Sequence, residues 1–219
     1  MKAPVNSSTR FLEPHERISE VLFGLIMVLT FTGSLSVAGA GRPDVRTMLI
    51  GALGCNAAWG IIDGVLYLLG CLAEKGRSLL TYRAVRKATD PEKAQRLIAD
   101  ALPSVVASVL QPADFEMIRQ RLQELSEPPK RVRLGIGDWL GALSVFLWVF
   151  SATFPVAIPF IFMQSVRPAL LISNAIAILL LFVLGWALGR TAGRSPWGMG
   201  IAMVVLGTLL VALTRALGG

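Results

Sequence analysis

Histidine occurs once in this 219-residue chain, and cysteine and tyrosine twice each. With a single histidine, a Ser-His-Asp arrangement has only His15 to draw on. The chain also has no His-Glu-x-x-His zinc motif, no Cys-x-x-Cys pair and no P-loop. The usual signals of a soluble enzyme are missing, so no catalytic activity and no resident cofactor is expected. The two cysteines, Cys55 and Cys71, lie in one apolar run. Sixteen residues of helix separate them by about 24 Å, so they cannot bridge each other and read as small packing residues.

Charge is scarce too. Charged residues make up 16% of the chain, against about 25% in an average soluble domain. Hydrophobic residues make up 54%, and the mean hydropathy is +0.63. The apolar residues fall into five long runs, at 18–40, 47–73, 139–166, 168–189 and 196–214. A membrane-spanning helix needs about 20 such residues. None of the runs alternates with period two, which argues against a membrane β-barrel. Backbone groups in lipid must be satisfied within the segment, so the runs are expected to be helices. The first run follows a 17-residue polar arm and is too long for a signal-peptide core, so it is expected to remain as a helix.

The fold expected is an all-α integral membrane protein. An N-terminal arm (1–17) leads to transmembrane helices 1 and 2 (18–73). A cytoplasmic insert of three short helices (74–138) then precedes transmembrane helices 3 to 5 (139–219). The insert's helix starts are visible in Asp90-Pro91 and Gln111-Pro112, which put proline at the first helical position. Its apolar residues recur at helical spacing: Ala94, Leu97, Ile98, Ala101 and Leu102, then Val105, Val106, Val109 and Leu110, then Phe115, Ile118, Leu122 and Leu125.

The net charge of +7 is best used by the positive-inside rule rather than by nucleic acid. With the N-terminus in the cytoplasm, 17 of the 21 basic residues lie inside, and Arg42, Arg46, Arg167 and Arg215 lie outside. The expected location is a bacterial inner membrane, with the C-terminus outside.

Two apolar runs contain one carboxylate each: Glu20 in the first and Asp63 in the second. A carboxylate in a membrane helix is costly and is usually functional. The plainer readings are an interfacial residue for Glu20 and a structural hydrogen-bond or ion-pair partner for Asp63. On the second helix Asn56, Gly60, Asp63, Tyr67 and Cys71 share one face. On the first, Glu20, Met27, Thr30 and Ser34 do the same. Two polar faces on adjacent helices suggest a water-accessible path. Carboxylate oxygen with sulfur from Met27 or Cys71 would suit a first-row transition metal. His15 with Glu13, Glu16 and Glu20 forms an acidic cluster at the membrane entrance, more simply a solvated capping arm. Pro155 and Pro159 break the backbone ladder of the third run, as a hinge or as a fixed kink.

Three stretches carry a resemblance: Glu20-Val21-Leu22-Phe23-Gly24, then Ile62-Asp63-Gly64 with Tyr67 and Glu74 beyond, and Phe154-Pro155-Val156-Ala157-Ile158-Pro159-Phe160. With the five-run layout they make the chain, from about residue 15 to its end, resemble the vacuolar iron transporter family, which includes the nodulin-21-like proteins. The resemblance implies a homodimer that exports ferrous iron or a related divalent metal such as manganese, in exchange for protons. Glu20 and Asp63 would carry metal and protons, with Met27, Asn56 and Tyr67 beside them. It also implies a metal-collecting insert, for which this sequence offers Glu92, Asp114, Glu116 and Met117. The insert holds twelve basic residues against nine acidic ones, which marks a divergent member. Two other functions fit the same layout: a channel or carrier for another ion, or a non-transporting interaction protein whose basic insert binds lipid headgroups or a partner.

Overall fold

Proline punctuates the chain. In the computed structural model, which describes residues 14–35 and 42–216, helices α1 (Pro14–Leu35), α3 (Pro91–Ala101), α5 (Pro112–Glu124) and α9 (Pro196–Ala216) each begin on one. Proline is tolerated there because the first N–H groups of a helix have no intrahelical partner. The other helices are α2 (Arg42–Lys87), α4 (Ser104–Val109), α6 (Ile136–Ser151), α7 (Thr153–Phe162) and α8 (Val166–Thr191). There is no strand among the described residues. The glycines and proline from Gly39 to Asp44 read as a tight turn between the first two runs, but Arg42, Pro43 and Asp44 are the first residues of α2. Residues 39–41, like the side chains of the acidic cluster around His15, lie outside those described.

Four helical stretches are long and apolar enough to cross a membrane: Val45–Lys87, Ile136–Phe162, Val166–Thr191 and Pro196–Leu213. Large hydrophobic side chains stand exposed along them, among them Ile61, Leu66, Leu143, Leu171, Leu179, Ile201 and Leu209. Apolar exposure on this scale needs lipid or protein against it. The chain is therefore a multi-pass membrane protein. In the expected first span, the apolar stretch with described side chains is the shorter Ile18–Thr30.

The third run is divided. α6 ends at Ser151 and α7 begins at Thr153. The break falls before the proline pair because Pro155 has no N–H for the Ser151 carbonyl and its ring crowds that carbonyl. The Ala152 N–H is shared between Trp148 O and Val149 O, both at 3.3 Å. Pro159 sits inside α7.

The chain forms two compact units, the first from Met1–Tyr67 with Ile136–Gly219 and the second from Leu68–Gly135. In the first, α1 is the central helix and touches α6, α7, α8 and α9. Leu22, Leu25, Val28 and Leu29 pack there with Ala152, Val156, Ala177 and Leu181. α8 and α9 meet closely at glycines. A Cβ on Gly185 would lie 2.8 Å from Met199 O, and one on Gly189 would lie 2.8 Å from Pro196 Cα. Their connection is short because Gly193 adopts φ 65°, which lets the Arg194 N–H reach back to Gly189 O at 2.9 Å.

In the second unit Val85, Ala94 and Ile98 form a small core with Leu97, Leu102, Phe115, Ile118 and Leu122 around it. Asp90 caps α3 by accepting the Glu92 N–H at 3.0 Å. α4 differs from its sequence pattern. It is six residues long, buries none of them, and leaves Val105 and Val109 about three-quarters exposed.

Candidate transport site

The faces of α1 and α2 are set by contacts one can place residue by residue. The Phe23 and Trp59 rings meet edge to face at 5.5 Å. One turn on, Asn56 Nδ2 donates to Gly24 O at 3.4 Å and to Thr153 Oγ1 at 2.5 Å. Higher residue numbers on α1 pair with lower numbers on α2, so the two run antiparallel. α6 lies against both. A Cβ on Gly24 would sit 2.7 Å from Val149 O, one on Gly60 2.9 Å from Phe146 Cδ2, and one on Gly64 3.2 Å from Ala142 O.

These contacts locate the two carboxylates. On α2, with about 100° per residue, Asp63 falls between Trp59, which faces α1, and Gly60 and Gly64, which face α6. On α1, Glu20 falls between Phe23, which faces α2, and Gly24, which faces α6. Both acids therefore lie on the helix faces that border the groove between α1, α2 and α6. Glu20 lies about 4.5 Å along its helix from Phe23, and Asp63 about 6 Å from Trp59, in the same direction. They share one depth to within a helical turn. Both are half-buried. Asp63 Oδ2 is buried and accepts no hydrogen bond.

The remaining members of the two polar faces do different things. Met27 is half-buried on the Glu20 side of α1, but two turns (about 10.5 Å) further on, so sulfur and carboxylate do not close on one ion. Asn56, at 1% exposure, is a buried interhelical bridge and not a water-lined position. The Thr30 hydroxyl donates to Met27 O of its own helix at 2.6 Å. Tyr67 is half-buried, its ring occupying the space that a side chain on Gly141 would need. Cys71 is buried and Ser34 lies outside the side chains described.

Two residues that sequence reasoning passed over belong to this region. Thr153 is fully buried and accepts the Asn56 amide. Asp138, counted above among the scattered acids of the insert, is 6% exposed in the first turn of α6. It lies one turn before Gly141, on the face that meets α2. Its position just before Trp139, where a helix N-terminus favours a carboxylate, was the available signal.

Three of the four insert candidates, Glu116, Asp114 and Glu92, are engaged in local hydrogen bonds or ion pairs. Glu116 accepts from Arg119 Nε at 2.8 Å and from Gln120 Nε2 at 3.1 Å. The Arg119 hydrogen bonds hold its carboxyl well below the usual glutamate range, at about 2. Asp114 Oδ2 accepts the Gln111 N–H at 2.8 Å and caps α5. Glu92 pairs with Arg96 at 3.3 Å on the surface. Met117 is exposed. Among the described residues, no three of histidine, cysteine, aspartate and glutamate gather into a metal-holding group.

Carboxylates within membrane spans mark ion and proton pathways among membrane proteins. The VIT family model matches residues 78–219, well over half of the chain, and the chain belongs to that family. Membrane metal-ion transport is the function the family indicates. The matched residues include Asp138 and Thr153 but begin after Glu20 and Asp63. No curated protein matches the sequence.

Proposed function

We propose that the protein exports a divalent transition metal, iron or manganese, from the cytoplasm in exchange for protons, and that Glu20 and Asp63 carry the cargo. The observation behind this reading is Asp63 Oδ2, a buried acceptor without a donor, at the depth of a second carboxylate in the same groove. Such an oxygen is costly to keep in a membrane unless a proton or a cation visits it. Two carboxylates of one protomer are too few for a metal ion's inner sphere. A homodimer that brings the α1–α2 grooves together would double the number. α1, 22 residues long, is the fifth span in this reading and presents Glu20 from the centre of the first unit.

Purified protein in proteoliposomes tests the site. Asp63→Asn keeps the size of the side chain and removes its charge, so it should abolish iron and manganese flux while the protein still elutes as the wild type does. Flux that survives Asp63→Asn would overturn the site.

A further inference from the structure

The second unit holds a cavity of about 810 Å³ lined by Lys75, Leu79, Lys130, Arg131, Val132 and Arg133, with Pro129 at its edge. Four of these residues are cations and none is a carboxylate. Positive charge gathered on one surface raises the local potential and draws anions to it. Lys130, Arg131 and Arg133 are exposed, but the segment that carries them is held in place. This outer wall of the pocket, the segment leading to Arg133, is clasped to α2 by three neighbouring side chains. The Tyr82 hydroxyl donates to Ser126 O at 2.8 Å, Arg86 Nη1 to Leu125 O at 3.0 Å, and Arg83 Nη2 to Pro129 O at 2.5 Å. Arg83 and Arg86 here bond neutral carbonyls, so the clasp fixes the segment without cancelling its charge.

The chain itself says where this pocket lies relative to the apolar runs. Lys75 comes two residues after the second run ends at Ala73, and Arg133 three residues before α6 begins at Ile136. Both walls therefore belong to the few residues that flank membrane spans, where lipid headgroups are found. Guanidinium and ammonium groups together are the chemistry that recognises phosphate. Leu79 and Val132 add apolar surface for the glycerol and the first methylenes of an acyl chain.

We propose that this pocket is a binding site for the phosphate headgroup of an anionic phospholipid. The test uses the full chain purified in a neutral detergent and titrated with short-chain phosphatidylglycerol, with short-chain phosphatidylcholine and with inorganic phosphate. Binding is followed by native mass spectrometry and by the thermal unfolding midpoint. Saturable phosphatidylglycerol binding is expected, at least tenfold tighter than for phosphatidylcholine or phosphate. The triple variant Lys130→Gln, Arg131→Gln, Arg133→Gln should lose that binding tenfold or more. A variant that removes the same charge outside the pocket, Arg77→Gln, Arg121→Gln, Lys93→Gln, should retain it. Equal losses in the two variants would reduce the site to diffuse attraction and overturn it. Phosphate binding as tightly as the lipid would overturn the lipid assignment. Metal flux is not read in this experiment, so its failure and that of the transport site are separate.

Discussion

Asn56 and Thr153 lie 97 residues apart and share one short hydrogen bond inside the first unit. Interhelical bonds in membranes contribute about 0.6 kcal/mol on average, but a buried donor stranded without a partner costs about 1–3 kcal/mol. Thr153→Val keeps the shape and strands the Asn56 amide. It should lower the unfolding midpoint in detergent more than Asn56→Ala, Thr153→Val lowers it beyond Asn56→Ala alone. Strict additivity in that cycle would mean the bond contributes nothing. Glu116 is the other informative residue. Its carboxyl is depressed by Arg119 from about 4.5 to about 2. A depressed acid contributes stability that is present above the unfolded value and is lost as pH falls through the folded one. The destabilisation caused by Arg119→Gln should therefore be full at neutral pH and shrink between about pH 4.5 and pH 2. A pH-independent difference in unfolding midpoint would show that the pair acts through packing alone.

At the scale of the helix, what the structure asks of each glycine separates two kinds. Gly24, Gly185 and Gly189 face backbone at distances no Cβ tolerates, while Gly54 and Gly70 have nothing within 4 Å of the position a Cβ would take. Gly24→Ala should lower the unfolding midpoint by several degrees, because Val149 O cannot move without shifting α6. Gly54→Ala and Gly70→Ala should leave it unchanged or raise it, since alanine is the better helix former by about 1 kcal/mol. A comparable loss at Gly54 would contradict the placement of α2. The start of α3 at Asp90-Pro91 and the inner faces of α3 and α5 were readable in advance, because caps and periodicity are local. The break between α6 and α7 was legible in kind from Pro155 and Pro159, but not in position, because the ring acts on the carbonyl four residues earlier. α4 is helical as the spacing of its valines suggests, but it buries none of its residues, because periodicity marks a face without saying what packs on it. The Asn56–Thr153 bridge and the burial of Asp138 were out of reach, because pairing between distant helices leaves no periodic trace.

At the scale of the whole molecule, orientation decides what the groove can do. Export requires that the end of the first unit bearing Glu20 and Asp63 open first to the cytoplasm. The proposed topology places 17 of 21 basic residues on that side, and those close to a span end, such as Lys75, Arg77, Lys130, Arg131 and Arg133, are the ones the rule counts. Ser126 and Gln164 report the two sides, since one follows α5 and the other lies between α7 and α8. In a background with Cys55 and Cys71 replaced, Gln164→Cys should react with a membrane-impermeant maleimide in intact cells. Ser126→Cys should react only after the membrane is opened. The opposite pattern would put the basic segments outside. The acidic groove would then face the exterior first, and uptake would replace export as the direction the charges favour.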